Sequence, residues 1–597
     1  MNKDKNQFIV FLFAFFGVVI AIIIISSIGT QYLAGTFNYS PALGETLAYD
    51  LYNPFSWIFW SIKYSSNYPD FFRKFYLIMC SLIALAFLFF VIIKIAYSRK
   101  SKAIKDLHGS AHWASLDEIK ETGVLNTNQG VYIGGYQYKN TLHYLRHNGP
   151  EHILCFAPTR SGKGVSLILP TLLAWEESAI ILDIKSELFN FTAGWRQKYA
   201  NNKILKFDPS NPNGSIRFNI LEEIRINTDF EIKDTQNIAI NIIYKGDTPD
   251  EKTSSSTGYF RSEAKNFLVA LILYSLHIAK NKNNNIPNLT DIYKFLNDPK
   301  MSIDEILEEM LECDIARDDT NEIIQSIARA MKNKASQELS GVIGTTSESL
   351  NLYIDPILAK NTAKSDFKIN ELMNSDKPVS LYLIIPPSDK DRLKPLFNLI
   401  INQIFRTLTD VKLGEEKTYK HRLLFMGDEL TSVGKIATLE EGLAYWAGYG
   451  IKFYGIIQDL QQLYNLYTDK ESITSNCHVR IAFAPNNIHT AKLLSEMSGT
   501  TTIIKRSITS SGKKLQAVLD NVSETMQEVQ RPLITPDECM RIPSAKKDKN
   551  ELIIEPGDML IFISGKPAIY GKQMLYFKDP VFSDRSKVEY SEQLNNI

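Results

Sequence analysis

The sequence predicts an α/β fold built on a largely parallel sheet, with an all-helical insert and two membrane-spanning helices near its amino-terminal end. Three observations predict this fold. Two runs of about 20 apolar residues lie near the start of the chain. From Gly109 onward, short apolar runs bounded by Gly, Pro, Asn and Asp alternate with helical stretches. Between residues 229 and 351 the strand signals stop, and only helical periodicity continues.

The two apolar runs predict a membrane anchor formed by residues 1–106. Phe8–Ile28 and Tyr76–Tyr97 each reach the roughly 20 residues that a bilayer core requires. A secretory signal is the alternative for the first run, but the run exceeds the usual apolar region of about 7–15 residues and no small-residue cleavage site follows it. Two spans are too few for one subunit to form a transport channel by itself, so we interpret them as an anchor or docking piece.

Charged residues beside the two runs predict their orientation. Lys3 and Lys5 precede the first run, and the basic segment Ser98–Lys102 follows the second. Positive flanks mark the cytoplasmic side of a membrane. The aromatic-rich loop Gly29–Arg73 is then extracytoplasmic or interfacial, and the bulk of the chain is cytoplasmic.

Eight apolar runs in the cytoplasmic part are predicted as strands. Several of them are apolar almost throughout, which is typical of strands covered by helices on both faces of a parallel sheet. The segment Ile508–Gln530 is interpreted as a mobile surface excursion or a solvated hairpin. The eight strands are His152–Ala157, Ala179–Asp183, Lys203–Phe207, Val379–Ile385, Leu423–Gly427, Lys452–Ile457, Val479–Phe483 and Met559–Ile563.

The stretch between the third and fourth strands has a helical pattern. Its apolar stripe is interpreted as packed core and not as a cofactor-binding surface. We therefore predict an all-α domain at residues 229–351, inserted into an α/β domain formed by residues 107–228 and 352–597. The stripe consists of Phe260, Ala264, Phe267, Leu271, Tyr274 and Ile278.

Composition excludes several function classes. Lys and Arg together number 66, as do Asp and Glu, so the chain is not a globally basic nucleic-acid coat. The five cysteines are far apart, with neither a disulfide framework nor a zinc-binding spacing. A reducing environment for the main body is expected.

A Gly-Lys turn between an apolar strand and a helix is the candidate phosphate-binding site. Backbone N–H groups at a helix N-terminus, together with one lysine, bind the phosphates of a nucleoside triphosphate. The usual pattern has Gly at the first position and Ser or Thr after the lysine, where this chain has Ala157 and Gly164. An ordinary strand-to-helix connection is therefore the alternative. We expect Lys163 to contact the β- and γ-phosphates, and the rest of the cradle to comprise Thr159, Arg160, Ser161, Gly162, Gly164 and Val165.

Two adjacent carboxylates follow another predicted strand. Asp428 and Glu429 lie at its carboxyl end, where α/β sheets bind their ligands. We expect Asp428 to orient Mg²⁺ and Glu429 to polarise the attacking water, although a solvated acidic turn would have the same residues. The next strand ends at Gln458, which either bonds the γ-phosphate or the water, or merely neighbours a helix cap. Loop, acidic pair and glutamine in this order predict an ATPase.

The Mg²⁺ ligands have more than one candidate. Gly164 lacks the hydroxyl that usually follows the loop lysine. Ser166, Ser161, Thr159 or a water is expected to replace it. Asp428 and Ser166 are taken as the predicted metal ligands.

Hydrolysis is also expected to need a cationic side chain that stabilises the negative charge of the transition state. In many ATPases an arginine, often from a neighbouring subunit, supplies it. Arg160 and Arg480 are the candidates, and Arg480 is taken as the catalytic one. The alternative for either is a surface salt bridge.

Eight short segments between Leu107 and Thr501 form a specific combination: Leu107–Ala114, Ala157–Gly164, Pro170–Leu173, Leu182–Leu188, Asp428–Glu429, Gly434–Lys435, Tyr449–Ile451 and Gln458–Leu463. In this combination the chain resembles the type IV secretion coupling proteins, membrane ATPases that deliver DNA or protein substrates to conjugation and effector-secretion channels. One large branch of that family has the same form of the loop, so Ala157 and Gly164 are compatible with nucleotide binding.

The resemblance implies a RecA-like P-loop nucleotide-binding domain with an inserted all-α domain and a two-helix anchor in the bacterial inner membrane. It implies ATP and Mg²⁺ as ligands and a ring, a hexamer, with a central channel. Lys163, Asp428, Glu429 and Gln458 match the loop lysine, acidic pair and glutamine of the family. Implied partners are other type IV secretion components, further copies of the chain, and DNA and/or protein substrates.

Two other functions are compatible with these residues. One is a docking receptor that binds nucleotide with little turnover, and the other is a chromosomal DNA pump. Such a pump would more naturally have several membrane spans and a separate carboxyl-terminal DNA-binding module. No zinc knuckle, helix-turn-helix or basic arm is visible, so the sequence leaves DNA and protein cargo open.

Overall fold

The computed structural model describes residues 2–47, 49–98, 107–125, 127–247, 255–282, 285–410, 419–511 and 521–592. The chain divides into two compact units, each described here by itself. The smaller unit comprises Met1–Ile104 and Arg506–Met526, and the larger comprises Lys105–Lys505 and Gln527–Ile597. All the predicted site residues lie in the larger unit.

Three helices form the amino-terminal part of the smaller unit: α1 is Asn2–Thr36, α2 is Ser56–Tyr64 and α3 is Pro69–Ser98. The first predicted membrane run lies within α1 and the second within α3. Phe16–Thr36 and Pro69–Ile92 are long and apolar enough to cross a bilayer, with mean hydropathies of 2.0 and 2.8. The connection between the helices is shorter than the predicted loop Gly29–Arg73, because both helices extend into it.

The connection between α1 and α3 has a small core of its own. Trp57 and Trp60 of α2 are each 6% exposed. Trp60 donates its indole N–H to the carbonyl of Leu43 at 2.9 Å. Gly29 permits α1 and α3 to approach closely, since a Cβ there would lie 2.6 Å from Sδ of Met79. Small residues at such contacts are typical of paired membrane helices.

An eleven-stranded sheet forms the centre of the larger unit. The described strands are β1 Val131–Tyr138, β2 Thr141–His147, β3 Ile153–Phe156, β4 Ser178–Asp183, β5 Lys203–Phe207, β6 Val379–Ile384, β7 Leu423–Gly427, β8 Ile451–Ile457, β9 Val479–Ala482, β10 Thr500–Ser511, β11 Asn521–Pro532, β12 Lys546–Lys547, β13 Ile553–Glu555, β14 Asp558–Ile563 and β15 Ile569–Lys572. The sheet order is β2-β1-β15-β14-β9-β3-β8-β7-β4-β6-β5. The seven strands from β9 to β5 are parallel, and the other four pair antiparallel.

All eight predicted strands are confirmed, as β3 to β9 and β14, with ends shifted by no more than one residue. Residues 512–520 of the predicted excursion or hairpin lie outside the described residues, and β10 and β11 on either side of them pair with each other, as the strands of a hairpin do. Alternating Thr, Ser and Val residues fit such a strand pair. The predictions missed β1, β2 and β15, which extend the sheet on its antiparallel side.

Helices cover both faces of this sheet. Side chains alternate along β3, so that Phe156 packs in one core together with Phe397 of a long helix and Phe267 of the helical insert, while Cys155 packs in the core on the opposite face. The helices are α4 Leu116–Glu121, α5 Leu169–Leu172, α6 Glu187–Lys198, α7 Glu231–Tyr244, α8 Ser255–Asn281, α9 Leu289–Leu296, α10 Ile303–Leu311, α11 Asp318–Lys332, α12 Ser336–Leu350, α13 Pro356–Asn361, α14 Glu371–Asn374, α15 Lys390–Leu408, α16 Leu439–Gly442, α17 Leu460–Tyr467, α18 Ile473–Asn476, α19 Ile488–Ser498, α20 Pro536–Met540 and α21 Pro580–Ser586. Eight of them, α7 to α14, lie between β5 and β6 in the chain, and six of these, α7 to α12, fall within the predicted insert, residues 229–351.

Candidate functional site

Three loops meet at the carboxyl edge of the parallel strands. Neighbouring strands β3, β8 and β7 end in register, since Phe156 pairs with Ile457 and Gly427 pairs with Gly455. The phosphate loop follows β3, the acidic pair follows β7, and Gln458 follows β8. The fold thus brings together residues that are far apart in sequence, at the edge where α/β sheets bind ligands.

The loop after β3 turns into a helix at Gly162. Its φ is +94°, a backbone conformation that favours glycine, and a Cβ there would lie 2.8 Å from Cδ1 of Ile553, so that side chain would have to shift. The helix begins with a single π-helical turn, Gly164–Ile168, which includes Val165. Among the described residues, no atom lies within 4 Å of a Cβ added at Gly164. Glycine at the position after the lysine therefore leaves open space.

The loop lysine and the first carboxylate form an ion pair. Nζ of Lys163 lies 2.8 Å from Oδ1 of Asp428, and the two side chains are only 18% and 23% exposed. Lys163 is thereby directed along the edge of the sheet and not into solvent. A phosphate bound in the loop would compete with Asp428 for this ammonium group.

The second carboxylate has an unusual backbone conformation. Glu429 has φ of +62°, in the left-handed region that residues other than glycine rarely adopt. Its Oε1 accepts an N–H from Gln458 Nε2 at 3.4 Å and lies 3.4 Å from Nζ of Lys390. Oε1 of Gln458 accepts from Thr159 Oγ1 at 3.4 Å and from Gln462 Nε2 at 3.1 Å. Gln458 therefore bridges the phosphate loop and Glu429.

Sequence reasoning missed two residues of this edge, Lys390 and Gln573. Lys390 begins α15 and reaches Glu429. Gln573 follows β15 and is 1% exposed. It donates to the carbonyl of Ser161 at 2.9 Å and accepts the N–H of Gly557 at 3.1 Å. Neither stands in a motif, and only the contact of Gln573 with Ser161 in the folded chain shows that the end of β15 comes near the loop.

Asp183, at the end of β4, caps the following helix. Its carboxylate accepts the N–H groups of Phe189 at 2.8 Å and Lys185 at 3.3 Å. Burial raises the pKa of this carboxyl, and the charge of Asp428 adds to the increase, although the backbone hydrogen bonds oppose it. Asp183 therefore has a structural role as a helix cap.

The three serine and threonine candidates for Mg²⁺ differ in their hydrogen bonds. The buried Ser166 hydroxyl donates to the carbonyl of Gly162 at 2.8 Å, and that of Thr159 donates to Gln458. Ser161 uses its backbone N–H in a turn with Pro158 at 3.2 Å. Its hydroxyl oxygen is buried and has no hydrogen-bond partner among the described residues.

The two candidate arginines contact other groups in this chain. Arg160, with φ of +60°, is 76% exposed at its side chain and lies 4.0 Å from Glu551. Arg480, on β9, donates from Nε to the carbonyl of Thr474 at 2.8 Å, and from NH2 to that of Ser475 at 3.4 Å. None of these contacts involves the acidic pair, so the catalytic role of Arg480 stays a prediction.

The residues present fit a Mg²⁺–nucleotide. Mg²⁺ is usually bound through one or two carboxylates together with phosphate oxygens and waters, and Asp428 offers such a carboxylate beside the loop. Within the described part of the chain, no group of three or more His, Cys, Asp or Glu residues could hold a metal by itself. The hydroxyl of Ser161 is a buried polar atom of the loop with no hydrogen-bond partner among the described residues, which fits a role for it in holding a ligand.

The parallel sheet, its glycine-lysine loop and its helical insert define a P-loop protein of the RecA-like class. A family model described as Type IV secretory system Conjugative DNA transfer matches residues 100–596. The chain belongs to this family, which confirms the resemblance found in the sequence.

Relatives and solved structures agree with this assignment. Conjugal transfer protein TraG of Escherichia coli is 44% identical over 583 residues, covering 94% of this chain and 90% of TraG. Protein VirD4 of Agrobacterium fabrum is 27% identical over 483 residues, covering 79% of this chain and 66% of VirD4. The unbound bacterial conjugative coupling protein TrwBΔN70 has a TM-score of 0.56 at 14% identity, covering 81% of this chain and 97% of that one. Plasmid coupling protein TrwB in complex with ADP and Mg²⁺ has a TM-score of 0.54 at 15% identity, covering 82% and 99%. The structural likeness confirms the predicted fold class.

Proposed function

We propose that this protein is a membrane-anchored ring ATPase that recruits substrates and couples ATP hydrolysis to their delivery into a type IV secretion channel. The substrates are a DNA–relaxase complex and/or effector proteins. The observation that carries the proposal is the edge at which Lys163 pairs with Asp428 at 2.8 Å and Gln458 bonds Glu429 at 3.4 Å. Membership of the conjugative DNA transfer family supports the transport role.

Each residue of the edge has a defined task in this proposal. Lys163 and the loop of residues 159–165 bind the phosphates of ATP. Glu429 polarises the attacking water, and Gln458 orients Glu429 and the water through its amide. Positioning and charge stabilisation supply nearly all of phosphoryl-transfer catalysis. These contacts are of the two types that the reaction needs.

Mg²⁺ would be held by Asp428 and by one hydroxyl of the loop. When bound, the ion neutralises charge on the phosphates. Ser166 is the predicted hydroxyl ligand, but it already donates to the carbonyl of Gly162 at 2.8 Å. Ser161 has a buried hydroxyl without a partner in the described residues, and is the better candidate. The structural relative TrwB was solved in complex with ADP and Mg²⁺, which supports a nucleotide and Mg²⁺ as ligands of this chain.

Assembly and location are part of the same proposal. Residues 1–106 are a multi-pass anchor in the bacterial inner membrane, residues 229–351 are an all-α domain, and residues 107–228 with 352–597 form the nucleotide-binding domain. Copies of the chain assemble into a hexameric ring that contacts other type IV secretion components. In such a ring the exposed Arg160 reaches a neighbouring site without breaking a buried contact, whereas Arg480 must first release the carbonyl of Thr474.

ATP turnover tests the proposal. The full chain in nanodiscs, with single-stranded DNA, is expected to hydrolyse ATP. Lys163→Ala is expected to lower the rate of hydrolysis about 100-fold. Glu429→Gln is expected to bind ATP and retain it. Turnover no greater than that of Lys163→Ala, together with intact ATP binding, would instead support a docking receptor.

A further inference from the structure

A second lysine reaches the predicted catalytic carboxylate. Nζ of Lys390 lies 3.4 Å from Oε1 of Glu429, with the two side chains 32% and 26% exposed. The same oxygen accepts the amide N–H of Gln458 at 3.4 Å. One oxygen of Glu429 is thus held by a positive charge and by an amide.

Packing of α15 sets the position of Lys390. Lys390 is the first residue of this helix, and α15 packs on the turn that follows Glu429. Asn398 of α15 donates to the carbonyl of Val433 in that turn at 3.2 Å. The helix and the turn that carry the two charges are therefore fixed to each other independently of the ion pair.

The backbone of Glu429 adds to this argument. Its φ of +62° belongs to a sparsely populated region, and residues in such conformations persist only where the surroundings over-determine them. The pairs Lys390–Glu429 and Gln458–Glu429 supply side-chain restraints for this residue. Of the other cations considered for catalysis, Arg160 faces Glu551, and Arg480 bonds backbone carbonyls.

We propose that Lys390 is a positioning residue for hydrolysis, whose ammonium group holds Glu429 in the orientation that polarises the attacking water. This rests on the proposed ATPase function. Lys390 acts through Glu429 and not by binding the nucleotide, so its loss lowers kcat and leaves the KM for ATP nearly unchanged.

Steady-state ATPase measurements on the full chain in nanodiscs test this role. Lys390→Met is expected to lower kcat about tenfold, which corresponds to the loss of one charge-assisted hydrogen bond, with the KM for ATP within about twofold of the wild type. Lys390→Gln, which keeps a polar N–H donor on a slightly shorter side chain but not the charge, is expected to show a similar loss. Lys390→Arg retains the charge and is expected to restore kcat to within about threefold.

A matched lysine controls for the loss of an ion pair. Lys203, at the start of β5, pairs with Glu371 at 3.2 Å, with side chains 36% and 40% exposed. Lys203→Met is expected to leave kcat and KM unchanged. Thermal midpoints of all variants separate loss of folding from loss of positioning.

The background of Glu429→Gln completes the test. The single variant Glu429→Gln and the double variant with Lys390→Met are expected to have the same single-turnover rate. Lys390 acts through the carboxylate of Glu429, which both variants lack. A further loss in that background, or a raised KM with unchanged kcat, would overturn the proposal. Wild-type kcat in Lys390→Met would also overturn it while leaving the ATPase proposal intact. No turnover in the wild type above that of Lys163→Ala would reject both.

Discussion

Single residues of the phosphate loop are held by contacts from the carboxyl-terminal strands. Ile553 fills the space beside Gly162, and Gln573 bonds the carbonyl of Ser161. The carbonyl of Ser161 therefore points toward Gln573, and these two contacts hold the loop in one conformation. Binding of an anion by a preformed cradle costs less ordering than binding by a mobile loop.

Gln573→Ala is expected to weaken ATP binding about tenfold. The change leaves a loop carbonyl and the N–H of Gly557 without the amide that they share, and unpaired buried polar groups cost about 1–3 kcal/mol. Gln197 is the matched control, since it also joins two backbone groups through a buried amide, at 2.8 and 3.0 Å to Ser591. Both alanine variants should lower the thermal midpoint. Nucleotide titrations should show an affinity change for Gln573→Ala only, and equal affinities would refute the role.

The two glycines beside Lys163 are expected to respond differently to substitution. Gly164→Ser enters open space, so the free energy of unfolding should change by less than about 0.5 kcal/mol, with the KM for ATP preserved. Gly162→Ala meets Ile553 at 2.8 Å in a left-handed conformation, and should weaken ATP binding and lower the thermal midpoint. Thermal unfolding and ATP titration of the two variants check this contrast.

At the scale of elements, burial on both faces made the parallel strands predictable. Short continuous apolar runs such as Ser178–Asp183 fit few structures other than a strand buried on both faces. The carboxyl ends of neighbouring parallel strands necessarily lie at the same edge of the sheet. β1 was missed because Gly134 and Gly135 interrupt its apolar pattern. Lys390 was missed because its contact depends on how α15 packs, which local sequence does not encode.

Two histidines at the opposite, amino-terminal edge predict acid sensitivity. Nδ1 of His147, at the end of β2, lies 2.9 Å from Nζ of Lys452, and His152 accepts the N–H of Phe453 at Nδ1 over 3.1 Å. Burial, together with the charge of Lys452, lowers the pKa of His147 to about 3 and that of His152 to about 4. His478 and Arg422 add to the effect on His147.

The sign of the pH effect follows from these depressed values. Below about pH 6.5 the unfolded chain binds protons at both histidines while the folded chain does not, so stability falls as the pH falls toward the folded values. Each histidine should remove about 1 kcal/mol of stability by pH 5.5. His152→Asn keeps an acceptor near Nδ1 but does not titrate, so its thermal midpoint should fall less between pH 7.5 and 5.5 than that of the wild type. An equal fall in both proteins would assign the acid sensitivity to other groups.

At the scale of the whole molecule, the proposed transport role requires the smaller unit to be an anchor. α1 and α3 contain apolar stretches of 21 and 24 residues, and the connection between them buries Trp57 and Trp60 in its own core. A folded connection of this kind separates two spans from each other and does not resemble the cleaved end of a secretory signal. Basic residues outside both runs predict that the two chain ends lie on the cytoplasmic side.

Topology reporters inserted into the full chain test this arrangement. A reporter that is active only outside the cytoplasm should be active in the connection near Leu47 and inactive after residue 597. The full chain should remain in the membrane fraction after a high-salt wash, because its attachment is apolar, whereas a chain starting at Lys105 should be released. Mass analysis of the purified protein should find α1 intact. A mature chain that begins after Thr36 would instead identify the first run as a signal, and the protein would then have a single span with its amino-terminal end outside the cytoplasm.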